Sequence, residues 1–207
     1  MAALNKELME FVLEASAEDS EITIEDLKKF IDQHELKIIE YYDDEKTKIK
    51  CQKWTLNGLL HREDGPALIE YRVDGKIWNE SYYINGIQHR EGAPAYIEYD
   101  TDGKIQTELY FINDKEHRDD GPSHIEYFNN GKIQSESYRI NGKCHREDGP
   151  SHIEYSEDGK IQFESYRING KCHREDGPAR IDYFENGKIQ KEEYYENGTK
   201  TKEINYF

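Results

Sequence analysis

Tyr138-Arg-Ile-Asn-Gly-Lys-Cys-His-Arg-Glu-Asp-Gly-Pro-Ser-His-Ile-Glu-Tyr-Ser-Glu-Asp-Gly-Lys-Ile-Gln-Phe-Glu-Ser165 decides the fold, because the residues that follow it, Tyr166-Arg-Ile-Asn-Gly-Lys-Cys-His-Arg174, begin the same text again. The step is 28 residues. It carries His61, His89, His117, His145 and His173, each followed by arginine (Arg62, Arg90, Arg118, Arg146 and Arg174). Pro66, Pro94, Pro122, Pro150 and Pro178 keep the same step, as do Tyr71, Tyr99, Tyr127, Tyr155 and Tyr183, and Gly75, Gly103, Gly131, Gly159 and Gly187. Several residue types recurring at one period define a repeat architecture.

Within a unit the spacing predicts two strands and two turns. Ala67, Ile69 and Tyr71 alternate with Leu68 and Glu70, which is strand periodicity. Val73-Asp74-Gly75-Lys76 reads as a hairpin turn with both central residues at positive φ. A longer strand follows, with Glu80, Tyr82 and Ile84 on one face, and ends at Asn85-Gly86, a second hairpin signal. Gln88 to Pro94 carries Gly and Pro without alternation and reads as a loop to the next short strand. Connections this short make neighbouring strands antiparallel. The expected fold is mainly β: an elongated, single-sheet antiparallel meander of β-hairpin repeats, growing roughly 10 Å per unit and on the order of 50 Å over five units, with stability near a sum of unit and interface terms.

The units drift at both ends. Residues 37–53 read as a degenerate half unit, about 54–193 as five units, and 194–207 as terminal edge strands whose Lys and Glu discourage further pairing. Residues 1–36 follow helical spacing instead, with Leu4, Leu8, Phe11, Val12 and Ala15 in one helix and Leu27, Phe30 and Ile31 in a second. Thr23 and Asp26 resemble a capping box, with Ile22 and Leu27 as its staple. This small N-terminal helical cap holds ten acidic and three basic residues. It is expected to cover the first strands, and its acidity also suits docking of a partner.

Hydrophobic and charged residues each make up 35% of the 207, yet 16 Tyr, 7 Phe and 2 Trp suit a half-buried pleated surface. A net charge of -16 opposes nucleic-acid backbones and anionic lipid surfaces. Cys51, Cys144 and Cys172 are odd in number and form no disulfide framework, so a reducing, cytoplasmic setting is expected. Glu7, Glu10 and Glu14 interrupt the first apolar stretch, against a signal peptide, and no 18-residue apolar run suggests a membrane helix.

The His-Arg loops are the tempting chemistry. Equivalent histidines roughly 10 Å apart cannot share a zinc ion that needs ligands at about 2.0–2.3 Å. The loops are therefore expected to be mortar, Arg pairing with a carboxylate and His capping a backbone group. No cofactor and no catalytic residue is expected, and no phosphate loop, nucleophile elbow or zinc helix is written in the chain. The Ile-flanked tyrosine rows are expected to form the half-core of the sheet. Tyr83, Phe111, Arg139, Arg167 and Tyr195 occupy one repeat position of changing polarity, which marks it as solvent-facing and as the expected contact surface.

Tyr127-Phe-Asn-Asn-Gly-Lys132 and Tyr166-Arg-Ile-Asn-Gly-Lys171 resemble MORN repeats, closest to the variant form of bacterial proteins and of large DNA viruses of amoebae, including the marseillevirus group. The likeness spans about residues 38–207, and the inserted His-Arg loop departs from the usual unit. It implies a rod of hairpins acting as a scaffold or protein-interaction module. A viral source would make that a virion or host-interface role, in the virion and the host cytoplasm. Phospholipid binding and antitoxin-like binding are the alternatives it carries. Partners are expected to be protein, with self-association, a homodimer in its simplest form, through an exposed sheet face or edge.

Overall fold

The computed structural model describes residues 23–31 and 34–207. The helix expected over Leu4 to Ala15 and the staple residue Ile22 lie outside the described residues. The second helix, α1, spans Ile24–Ile31. Asp26 N–H donates to Thr23 Oγ1 at 3.1 Å and Thr23 N–H donates to Asp26 Oδ2 at 3.0 Å, the reciprocal pair of a capping box. The Thr23 hydroxyl and N–H hold the Asp26 carboxyl below the usual carboxylate range.

From Leu36 onward the chain builds one long antiparallel sheet that does not close on itself, with four short two-stranded ribbons beside it. Strand β1 (Leu36–Tyr41) pairs with β2 (Ile49–Leu56), the half unit, and Leu59–Leu60 (β3) folds back on β2. The first full unit then contributes β4 (Leu68–Tyr71) and β5 (Ile77–Ser81), paired Leu68↔Ser81, Ile69↔Glu80 and Glu70↔Asn79. Each later unit adds the same two sheet strands, so the order along the sheet follows the order along the chain. The meander is as the period predicts.

Two details differ from the sequence reading. The longer strand is not continuous: after β5, Tyr83–Ile84 (β6) and Ile87–Gln88 (β7) form a separate two-stranded ribbon, so a unit has four strands. Tyr82 is the branch point. Its N–H donates to Ala95 O of the next sheet strand at 2.8 Å, while its carbonyl accepts His89 N–H of the returning arm at 3.1 Å. One residue thus serves the sheet with one group and the ribbon with the other. Where no His-Arg loop follows, the split disappears: Ile189–Glu196 and Thr199–Asn205 pair along their length, from Lys191↔Asn205 to Glu196↔Thr199.

The second difference lies in the turns. At Asn85-Gly86 both residues have positive φ, 52° and 79°, the mirror-image turn of tight hairpins. At Arg72–Lys76 only Gly75 does, at 88°; Asp74 keeps ordinary φ, and Lys76 N–H donates to its Oδ1 at 3.1 Å. The Asp there shapes a five-residue loop through its side chain.

Cross-strand register sorts the side chains onto two faces. One carries Ile69, Ile97, Ile125, Ile153 and Ile181 opposite Glu80, Glu108, Glu136, Glu164 and Glu192. The register also places each of Tyr82, Tyr110, Tyr138 and Tyr166 between small residues of adjacent strands, drawn from Ala67, Ala95, Ser123, Ser151 and Ala179, all five of which are 0% exposed. Large rings beside small side chains give this thin sheet its core.

Candidate functional site

The His-Arg loops join each unit to the next. His61 Nδ1 accepts the backbone N–H of Asn85 at 3.1 Å, and His89, His117, His145 and His173 do the same for Asn113, Asn141, Asn169 and Asn197. The N–H captured is that of the turn residue in the following ribbon. Beside it, Gly86, Gly142, Gly170 and Gly198 donate to carbonyls of the preceding ribbon at 2.7–2.8 Å. Asp114, which replaces the turn glycine in the third unit at φ 60°, does so at 3.0 Å and accepts Gln88 N–H on its carboxylate.

The arginines sit over aromatic rings. Arg62 stands 4.2 Å from the Trp54 centroid, and Arg90, Arg118, Arg146 and Arg174 stand 3.8–4.1 Å from Tyr82, Tyr110, Tyr138 and Tyr166. Each also donates through Nη1 to the carbonyl of the proline four residues on. Arg62, Arg118 and Arg146 add an ion pair to Asp64, Asp120 and Asp148 of their own loop at 2.7–2.8 Å. Arg90, whose loop has no such Asp, keeps its place without one.

Two more ladders run between units. The hydroxyls of Tyr99, Tyr127, Tyr155 and Tyr183 donate to Glu80, Glu108, Glu136 and Glu164 of the preceding unit at 2.6–3.1 Å. Burial, reinforced by that carboxylate, pushes Tyr99 and Tyr155 up to about 12 and raises Tyr127 and Tyr183 as well. Lys104, Lys132 and Lys160 reach the carbonyls of Asn129, Glu157 and Glu185 in the next turn at 3.0–3.3 Å.

In this arrangement each loop imidazole already spends Nδ1 on a backbone N–H, leaving only Nε2, near a carboxylate in most units. Among the described residues no cluster of three or more His, Cys, Asp or Glu could hold a metal ion. The spaces between successive loops, lined for example by Asp120, Pro122, Tyr138, His145 and Arg146, are open grooves. One hydroxyl–imidazole–carboxylate chain does occur: Ser137 Oγ lies 2.8 Å from His152 Nδ1, and His152 Nε2 lies 3.0 Å from Glu154. Ser137 is 6% exposed, so a substrate cannot approach its oxygen, and the contact is a rung of the sheet surface.

The sheet's other face is a different kind of surface. Leu68, Tyr96, His124, His152 and Arg180 share one position on it. Asn79, Thr107, Ser135, Phe163 and Lys191 share a second, and Ser81, Leu109, Ser137, Ser165 and Glu193 a third. The row Tyr83, Phe111, Arg139, Arg167 and Tyr195 joins this face. Arg167 Nε donates to Ser165 Oγ at 3.2 Å and Tyr195 OH to Glu193 at 3.1 Å. The row is half-buried rather than open to solvent, and Arg139 pairs with Glu116 at 3.1 Å. The other three rows were missed in the sequence, although alternation combined with the 28-residue alignment marks them.

Three stretches, residues 95–113, 124–141 and 179–197, match the family described as MORN repeat variant. Each begins at a short sheet strand and ends at the next turn asparagine, Asn113, Asn141 or Asn197, so the His-Arg loops fall outside the matched stretches. The matches name a repeat and bear on no viral source. A search of the curated proteins found no match. Three hairpins of this chain, then, match the MORN repeat variant.

Proposed function

We propose that this chain is a non-enzymatic protein-interaction scaffold whose variable sheet face receives a protein partner. One observation carries the reading. The face that holds units together repeats Ile, Tyr and Glu unchanged from Ile69 to Glu192, whereas the opposite face changes residue at four positions per unit. Stacking identical units needs identical contacts; recognising a partner needs a pattern that differs along the surface. Capture of a protein from the native source, compared between the wild-type chain and one carrying Tyr96→Ser, His124→Ser, His152→Ser and Arg180→Ser, tests it. The reading predicts loss of the captured protein with unchanged melting; retention of it contradicts the reading.

Antitoxin-like binding, or service as a virion or host-interface component in a reducing cytoplasm, would each be a setting for such a scaffold. The phospholipid reading is the weaker one: Asp64, Glu91, Asp119, Asp120, Glu147 and Asp148 stand 82–88% exposed along the loop edge, against any anionic surface. Self-association is favoured at β1, an end strand of the sheet that carries Ile38 and Ile39. Sedimentation giving only monomer at high concentration would count against it. The acidic segment 1–36 is proposed to cover the apolar face of the first strands, leaving the β1 edge open, and to offer a second docking site.

A further inference from the structure

The variable face carries a row of carboxylates, Glu70, Glu98, Glu126, Glu154 and Asp182, each two residues after the most variable position. In the last three units that position supplies the counter-charge. His124 Nε2 lies 3.4 Å from Glu126 and His152 Nε2 lies 3.0 Å from Glu154. Arg180 and Lys191 both offset the burial that raises the Asp182 carboxyl. The first two units have Leu68 and Tyr96 there instead. Lys53, which the Glu70 charge acts on, is held by Glu40 at 2.6 Å. Glu98 is in no ion pair among the described residues.

Glu98 is nevertheless fixed in place. Trp78 Nε1–H donates to its Oε1 at 3.0 Å and Tyr96 OH to its Oε2 at 3.1 Å. Each oxygen keeps a further lone pair, so the carboxylate can still accept two parallel N–H bonds. Asn79, its cross-strand neighbour, is 3% exposed and leaves Oδ1 without a partner. Aromatic side chains border the position: Trp78, 39% exposed, and Tyr96, with Phe111 and Tyr83 in the adjoining row. Arg72 lies 5.9 Å from the Trp78 centroid, donates Nη2–H to Tyr99 O, leaves Nε without a partner and forms no ion pair with Glu98.

We infer that Glu98, framed by Trp78 and Tyr96, binds an arginine side chain of the protein partner. The guanidinium edge matches the two free lone pairs, its plane suits aromatic borders, and its charge completes a ladder that the chain completes for itself elsewhere. An ammonium offers a point charge without the fork, and a net charge of -16 draws a basic segment towards the chain. The inference rests on the reading of this face as a protein-binding surface.

Titration of the full chain with the blocked peptide Gly-Ser-Arg-Ser-Gly, followed by the Trp78 indole N–H resonance, tests it. Its citrulline and glutamate counterparts serve as controls. The arginine peptide is expected to shift that resonance saturably and the controls not to. Glu98→Gln should weaken binding by about tenfold or more. Tyr96→His, which installs the counter-charge of the third and fourth units, should occupy Glu98 from within and abolish it. Thermal melting confirms that both variants are folded. Unchanged affinity in Glu98→Gln, or shifts confined to the loop acids Asp120 and Asp148, would overturn the assignment. If the peptide fails while a captured partner still protects the variable face, the arginine assignment falls alone. If the captured partner leaves that face untouched, the scaffold reading falls with it.

Discussion

His117 Nδ1 accepts the backbone N–H of Asn141, 3.1 Å away and 24 residues further along the chain. The bond crosses from one unit to the next and recurs in all five. His117→Ala leaves the turn N–H to water, since the site is exposed, so a loss of about 1 kcal/mol is expected by urea unfolding. Because a repeat array contacts mainly its neighbours, double replacement at His61 and His173 should cost the sum of the single ones.

Arg146 works through its plane more than through its ion pair. Asp148 is 83% exposed, and an exposed pair contributes little. Asp148→Ala should therefore change stability by less than about 0.5 kcal/mol. Arg146→Lys, which forfeits the Nη1 bond to Pro150 O and the guanidinium contact with the Tyr138 ring, should cost about 1 kcal/mol. Thermal unfolding of the two variants separates the contributions, and Arg90, seated 3.8 Å from Tyr82 without an aspartate, already shows that the ion pair is dispensable.

Two kinds of glycine predict two kinds of failure. Gly142 has φ 79° with nothing within 4 Å of an added Cβ, so Gly142→Ala costs about 1 kcal/mol of backbone strain alone. Gly121 lacks that φ, but its Cβ would meet Arg118 Cζ at 2.9 Å. Ala93 occupies this place in the second unit, where Arg90 bonds Pro94 O at 3.0 Å and pairs with no aspartate. Gly121→Ala should accordingly move Arg118 to the Arg90 position and lose the Asp120 pair. The Arg118 Nε–H resonance reports the move, with a stability change of less than about 1 kcal/mol.

The tyrosine ladder predicts an alkaline limit. Tyr99 and Tyr155 are pushed up to about 12 by burial and by the carboxylates that accept their hydroxyls, from an ordinary value of 10.0. A folded value above the unfolded one means the folded chain holds protons that the unfolded chain has released. The contribution is complete below about pH 10 and is lost as pH rises towards about 12. Denaturant unfolding between these limits should show that decline. Tyr99→Phe with Tyr155→Phe should flatten it, at a cost of about 0.5–1.5 kcal/mol per hydroxyl near neutrality.

Much of the fold was legible in the sequence because its determinants repeat. Asn85-Gly86 and Ile69-Glu70-Tyr71 recur at one step, and the antiparallel meander follows from them. The split at Tyr82 was not legible, since alternation runs unbroken from Glu80 to Ile84 and only the hydrogen bonds of one residue divide it between sheet and ribbon. Nor was the role of Asp74, which has the composition of a positive-φ turn residue but acts through its carboxylate. The His-Arg pairs stood out by period, whereas the rings beneath the arginines, eight residues earlier, became visible only once the ribbon had folded back. The row from Tyr83 to Tyr195 showed its variability in one dimension. Its neighbours Tyr96, His124 and His152 needed the register to place them on the same face.

The central claim is that one face holds the units together and the other meets a partner. Hydroxyl-radical footprinting of the chain, free and bound to the protein captured from its native source, measures this side chain by side chain. The account predicts that Tyr96, Phe111, His152 and Phe163 lose reactivity on binding while Tyr99, Tyr127 and Tyr155 keep theirs. Protection of the Tyr99 row with Tyr96 and Phe163 unchanged would contradict it.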